Sequence, residues 1–141
     1  MTAPLEEVAR KVRQWLAYAD EDVLLAQHGL TLAERAPLRL VAYHAQQGAE
    51  KCLKGLLVWR GVDFPYTHNI ARLLELVADS GGGDDSLAEA VTLTPFAITT
   101  RYPGEDADVE WAEAEQAIAI AERVRDIVRQ MLAAENLPSV V

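Results

Sequence analysis

The chain has 141 residues, half of them apolar and a quarter charged, which makes one globular domain and leaves too little chain for two self-sufficient cores. Thirteen basic against twenty-two acidic side chains give a formal charge of −9, which excludes a strongly cationic coat for nucleic acid but not a local basic patch. The lone Cys52 excludes an internal disulfide and any Cys₂ or Cys₄ zinc arrangement. No apolar run approaches the roughly 18 residues of a membrane span, and residues 1–7 lack a signal peptide's charged and apolar regions, so a cytoplasmic protein is expected.

Along the chain, Pro4 opens a first helix of about 20 residues. Its apolar stripe is Leu5, Val8, Val12, Trp15, Ala19, Val23 and Ala26, and Gly29 is its expected stop. Pro37 starts a second helix whose stripe is Leu40, Ala42, Ala45, Ala49, Cys52, Leu53, Leu56 and Leu57. It runs to Trp59, with Gly61 as a left-handed cap. Thr67 is the expected N-cap of a third helix buried through Ile70, Leu73, Leu74 and Val77. After the glycine loop at 81–83, Asp84 or Asp85 caps a fourth helix carrying Leu87, Ala90, Val91 and Phe96, which Pro95 kinks or ends. Residues 101–104 read as a turn.

The last helix faces inward through Ala114, Ala117, Ile118, Ala121, Val124, Ile127, Val128 and Met131, and Pro138 lies in an expected frayed tail over 135–141. The fold class is therefore all-α: an antiparallel up-and-down four-helix bundle with a short extra helix, a single domain over 1–141 with its core at about 5–134.

Charge is unevenly spread. Residues 1–36 sum to −2 and residues 73–141 to −10, whereas residues 37–72, with five basic and two acidic side chains, sum to +3. An anionic ligand is least repelled by that middle segment. There His44, Gln47, Lys51 and Lys54 fall on one strip of the second helix at 100° per residue, bordering its apolar face. An imidazole, an amide and two ammonium groups suit a nucleotide or phosphate. The alternative is that Gln47 and Lys51 are a solvated edge and Glu50–Lys54 a helix-stabilising pair.

Arg101 and Tyr102 form a second candidate: an arginine fork in a constrained turn can hold phosphate bidentately, or pair with Glu105, Asp106 or Asp108. His28 closes the first helix, His68 reads as a local hydrogen-bonding residue, and Cys52 as a small core residue. Neither metal-ligand spacing nor a phosphate-cradling glycine loop is present, so no metal and no cofactor are expected. Trp59, Phe64, Tyr66 and Trp111 lie near loops, where they close the core or form a subunit contact.

Several of these pieces occur in order: Trp15, Ala-Asp-x-Asp at 19–22, the His-Ala-Gln-Gln-Gly-Ala-Glu-Lys-Cys-Leu-Lys run from His44 to Lys54, Gly61, Thr67-His68, and Arg101-Tyr102-Pro103. Together they resemble the HEPN family over residues 10–130. The resemblance implies the bundle above, a homodimer, and a role as the helical subunit of a toxin–antitoxin-like module beside a small nucleotidyltransferase, with nucleotide or RNA phosphate at the polar strip. The family is also similar to the helical domain of kanamycin nucleotidyltransferases.

Many relatives are metal-independent endoribonucleases with an Arg-x(4–6)-His motif near the start of the last helix. Here Arg101 matches the arginine, but no histidine follows His68. Proton exchange near neutral pH then falls to His44 or to a strongly perturbed carboxyl. The second alternative is a non-catalytic structural homo-oligomer.

Overall fold

The computed structural model describes residues 4–98 and 108–138. Four α-helices occur among them: α1 (Leu5–Leu30), α2 (Leu38–Trp59), α3 (Ile70–Asp79) and α4 (Trp111–Ala134). A short 3₁₀ turn, Ala33–Arg35, joins α1 to α2, and a longer 3₁₀ run, Asp85–Ala97, lies between α3 and α4. No strand is present among the described residues. Helix α2 is the axis of the molecule, packing on α1, α3, α4 and the 3₁₀ run. Between Ala45 and Gly55 every residue except Lys51 is buried, polar ones included.

The stripes fill the core with small shifts in phase. Val12, Ala19, Val23 and Ala26 from α1 meet Ala45, Ala49, Cys52, Leu53 and Leu56 from α2. Leu5 and Leu40 are exposed; Val41 is buried in place of Leu40 because it, and not Leu40, stands one turn before Ala45. Likewise Leu132 continues the Val124–Val128 row, leaving Ile127 and Met131 half-buried at its edge.

Gly29 does not end α1, which continues to Leu30. Its role is space: a Cβ there would come within 2.7 Å of Val41 Cγ2. Gly48 does the same at mid-helix, where a Cβ would meet Val23 Cγ2 at 2.8 Å and the Ala19 carbonyl at 3.3 Å.

Gly61 is the left-handed cap the sequence indicates, at φ 71°. Val62 N–H donates to the Leu57 carbonyl at 2.9 Å and Gly61 N–H to that of Val58 at 3.1 Å, the pair of reversed bonds that closes a helix with glycine. Asn69 holds the N-cap position of the third helix without a side-chain cap bond, while Thr67, two residues earlier, forms a turn, its Oγ1 accepting from Asn69 N–H at 3.0 Å.

The fourth segment differs most from expectation, being 3₁₀ throughout. At three residues per turn, Leu87, Ala90, Leu93 and Phe96 share one face. The first three are buried and Phe96 is half-buried, while Val91 turns outward. Asp84 caps the segment by accepting from Ser86 N–H at 2.8 Å.

The end of α4 is pinned to the body by Arg60. Its guanidinium, 6% exposed, holds both Glu135 carboxylate oxygens at 2.9 Å and donates to the carbonyls of Val77 and Gly82 at 2.8 Å. Trp59 Nε1–H donates to the Glu135 carbonyl at 3.0 Å, so residues 135–137 are tied to the body and not frayed.

A Gly48→Ala chain is expected to lose about 2–3 kcal/mol in urea unfolding, because its methyl group overpacks α1. Gly61→Ala, with open space around it, loses only about 1 kcal/mol, from the left-handed backbone. Equal losses would contradict the close-approach role of Gly48.

Candidate functional site

The polar strip of α2 divides into two clusters, each organised by one carboxylate. The outer cluster is built on Asp22 of α1. His44 Nδ1 lies 2.8 Å from Asp22 Oδ1, and Lys51 Nζ donates to Asp22 Oδ2. A carboxylate only accepts, so Nδ1 carries the hydrogen and Nε2 takes no part in the Asp22 bond. The His44 and Lys51 side chains are 27% and 25% exposed, whereas Asp22 is 11% exposed behind them. Tyr43 stands edge-on to the His44 ring at 5.1 Å.

The inner cluster is built on Glu50, whose side chain is 3% exposed. Lys54 Nζ donates to its Oε2 at 3.0 Å, while Gln46 Nε2 and His68 Nδ1 reach Oε1 at 3.1 and 2.8 Å. Gln47 Nε2 in turn donates to Gln46 Oε1 at 2.6 Å. The Lys54 ammonium also lies about equally close to three rings, with centroids of Phe64, Tyr66 and Trp15 at 5.7, 5.9 and 6.0 Å. Their π faces attract a desolvated cation, each by about 0.5–2 kcal/mol. Trp15 and Phe64 meet edge-to-face at 6.3 Å, and Tyr66, itself exposed, meets His68 at 5.8 Å.

Of the sequence candidates, His44, Gln47, Lys51 and Lys54 thus share one strip, but only His44 and Lys51 present their polar groups at the surface. The Glu50–Lys54 pair is a buried ion pair and not a surface helix pair. Arg101 and Tyr102 lie outside the described residues. Sequence reasoning missed Asp22, Glu50 and Gln46 as the organisers. Ala-Asp-x-Asp was a visible signal for the first, whereas Glu50 is legible only once its face of α2 is known to be buried.

Cys52 is fully buried in the core. Burial pushes its thiol up to about 12, and the nearby Asp20 carboxylate adds to the effect. The reactive species is the thiolate. Native protein should therefore leave Ellman's reagent unreacted at about pH 8, with one thiol per chain released only on unfolding. Fast labelling of the folded chain would contradict this environment.

The HEPN domain profile matches residues 12–131, and the chain belongs to that family. Among solved structures it is similar to TT1696 from Thermus thermophilus, with 31% identity and a TM-score of 0.70 over 85% of this chain and 97% of that one. It is also similar to ST0689, an archaeal HEPN homologue, with 26% identity and a TM-score of 0.69 over 86% of this chain and 97% of the other. No curated protein matches the chain. Among the described residues no helix is long and apolar enough to cross a membrane.

Proposed function

We propose that this HEPN protein is the helical, non-catalytic subunit of a nucleotidyltransferase-linked, toxin–antitoxin-like module, acting as a homodimer that holds a nucleotide or RNA phosphate at the open end of the α1–α2 strip. The observation that carries the reading is the Asp22–His44–Lys51 cluster. Asp22 fixes an imidazole and an ammonium side by side, both partly exposed, on the part of the chain where positive charge is in excess. Because Asp22 orders both donors before any ligand arrives, little side-chain entropy is lost on binding. In this reading His44 and Lys51 contact the anion, with Arg101 and Tyr102 completing the grip. Gln47 and Lys54 set the strip from behind through Gln46 and Glu50.

The endoribonuclease reading draws on the same cluster, since an imidazole tied at Nδ1 keeps Nε2 for proton exchange. It stands second because no histidine follows Arg101.

The test is affinity capture of the chain from its own cells, with bound protein and nucleic acid both identified, joined to nucleotide titrations of a Lys51→Ala variant. A stoichiometric small nucleotidyltransferase and a loss of about tenfold or more in nucleotide affinity, with an unchanged melting profile, are expected. Equal affinity in Lys51→Ala would contradict the anion site. RNA cleavage abolished by His44→Ala would replace the binding role with the nuclease.

A further inference from the structure

Asp20 and Asp22 stand two residues apart on α1, hence roughly 200° apart around its axis, and serve opposite sides of that helix. Asp22 faces the strip on α2. Asp20 faces α4, which runs antiparallel to α1: Asp20 pairs with Arg129 at 2.6 Å, and Gln27 with Glu122 at 3.3 Å.

Between α1, the end of α4 and the residues that follow it lies an open groove of about 450 Å³. Its apolar lining includes Leu16, Leu132 and Leu137, and its polar lining is Arg13, Asp20 and Arg129. A mostly apolar cleft with few convergent polar groups is the ordinary form of a small-molecule site.

Two polar deficits of opposite sign meet there. Arg13 is half-buried and makes no hydrogen bond or ion pair among the described residues. Its five N–H donors call for an acid group. Asp20 uses Oδ2 for Arg129, while its Oδ1 is buried without a hydrogen-bond partner among the described residues. Such an acceptor favours an incoming donor, which a small rotation of the carboxylate about its soft terminal torsion would meet. Arg129, held by Asp20 through one nitrogen, keeps donors to spare.

We propose that the α1–α4 groove binds an apolar α-amino acid as its zwitterion, independently of the anion site on the α1–α2 strip. The carboxylate takes the Arg13 fork with help from Arg129. The ammonium takes the unused capacity of Asp20, and the side chain lies on Leu137 and Pro138, with the buried Leu16 and Leu132 beneath. An acid alone would leave Asp20 unsatisfied, and an amine alone would leave Arg13 unsatisfied, so both charged ends are required.

The experiment is isothermal titration of the full chain with L-leucine, N-acetyl-L-leucine and L-leucinamide, repeated on Arg13→Gln, which keeps most of the arginine stem packing. L-Leucine is expected to bind at one site per chain with a dissociation constant below about 10 mM. Either blocked analogue should bind about tenfold or more weakly. Arg13→Gln should impose a similar loss on L-leucine and leave leucinamide, which lacks the carboxylate, unaffected. Three results overturn the proposal: no heat with L-leucine at about 10 mM, N-acetyl-L-leucine binding as well as L-leucine, or Arg13→Gln binding L-leucine as the parent does.

Discussion

One buried carboxylate, Glu50, sets the terms for the centre of this bundle. Helix α2 packs on α1, α3, α4 and the 3₁₀ run, so Gln46, Gln47, Glu50 and Lys54 in its middle have almost no solvent to turn to. Glu50 resolves this by accepting from Lys54, Gln46 and His68 at 2.8–3.1 Å, and Gln46 passes the pattern on to Gln47. Isolated, each of the buried groups, Glu50, Lys54, Gln46 and Gln47, would be costly in the core; together they leave the Glu50 carboxylate and the Lys54 ammonium paired and hydrogen-bonded. His68 also ties the segment before α3 to the middle of α2, and the Lys54 ammonium gathers Trp15, Phe64 and Tyr66 from two further parts of the chain. The network therefore fixes register between elements that apolar packing alone, being non-directional, would leave freer to slide.

That arrangement also decides what the strip can offer a ligand. A run of basic residues on one helix suggests several cations for one anion, but carboxylates from the same chain answer both lysines. Lys54 is committed to the interior, whereas Lys51 shares Asp22 with His44 at the surface and keeps donors to spare. Ligand contact is thus concentrated at one end of the strip, where α1 contributes the ordering carboxylate. The division between an inner structural cluster and an outer exposed one follows from the phase of α2: Glu50 and Lys54 turn toward the Trp15–Phe64 side, and Lys51 toward Asp22.

Much of the fold was legible in the sequence, because it rests on local patterns. The apolar stripes of α1, α2 and α4 show a 3.6-residue period, and Gly61 marks a left-handed cap, so their positions follow from the residues themselves. The misreadings have physical causes. Gly29 looked like a stop because glycine usually breaks helices, yet here it makes room for Val41. An α-helical period places Val91 inward, whereas a threonine-rich segment carrying Pro95 adopts three residues per turn and turns Val91 out. The strip itself was visible as four residues at helical spacing. Its organisers were not, since Asp22 is distant in sequence from its partners and Glu50 gains its meaning only from its burial between α2 and the segment before α3.

Glu50 is the structural anchor of the network, and Lys54 is buried because of it. The most direct measurement is the unfolding free energy of Glu50→Gln against the parent and the Glu50→Gln/Lys54→Met double variant. Removing the carboxylate alone leaves a buried ammonium unpaired and should cost about 3–5 kcal/mol, most of it recovered when Lys54 is also replaced. A loss below about 1 kcal/mol for Glu50→Gln, the range of a solvent-exposed pair, would contradict the account.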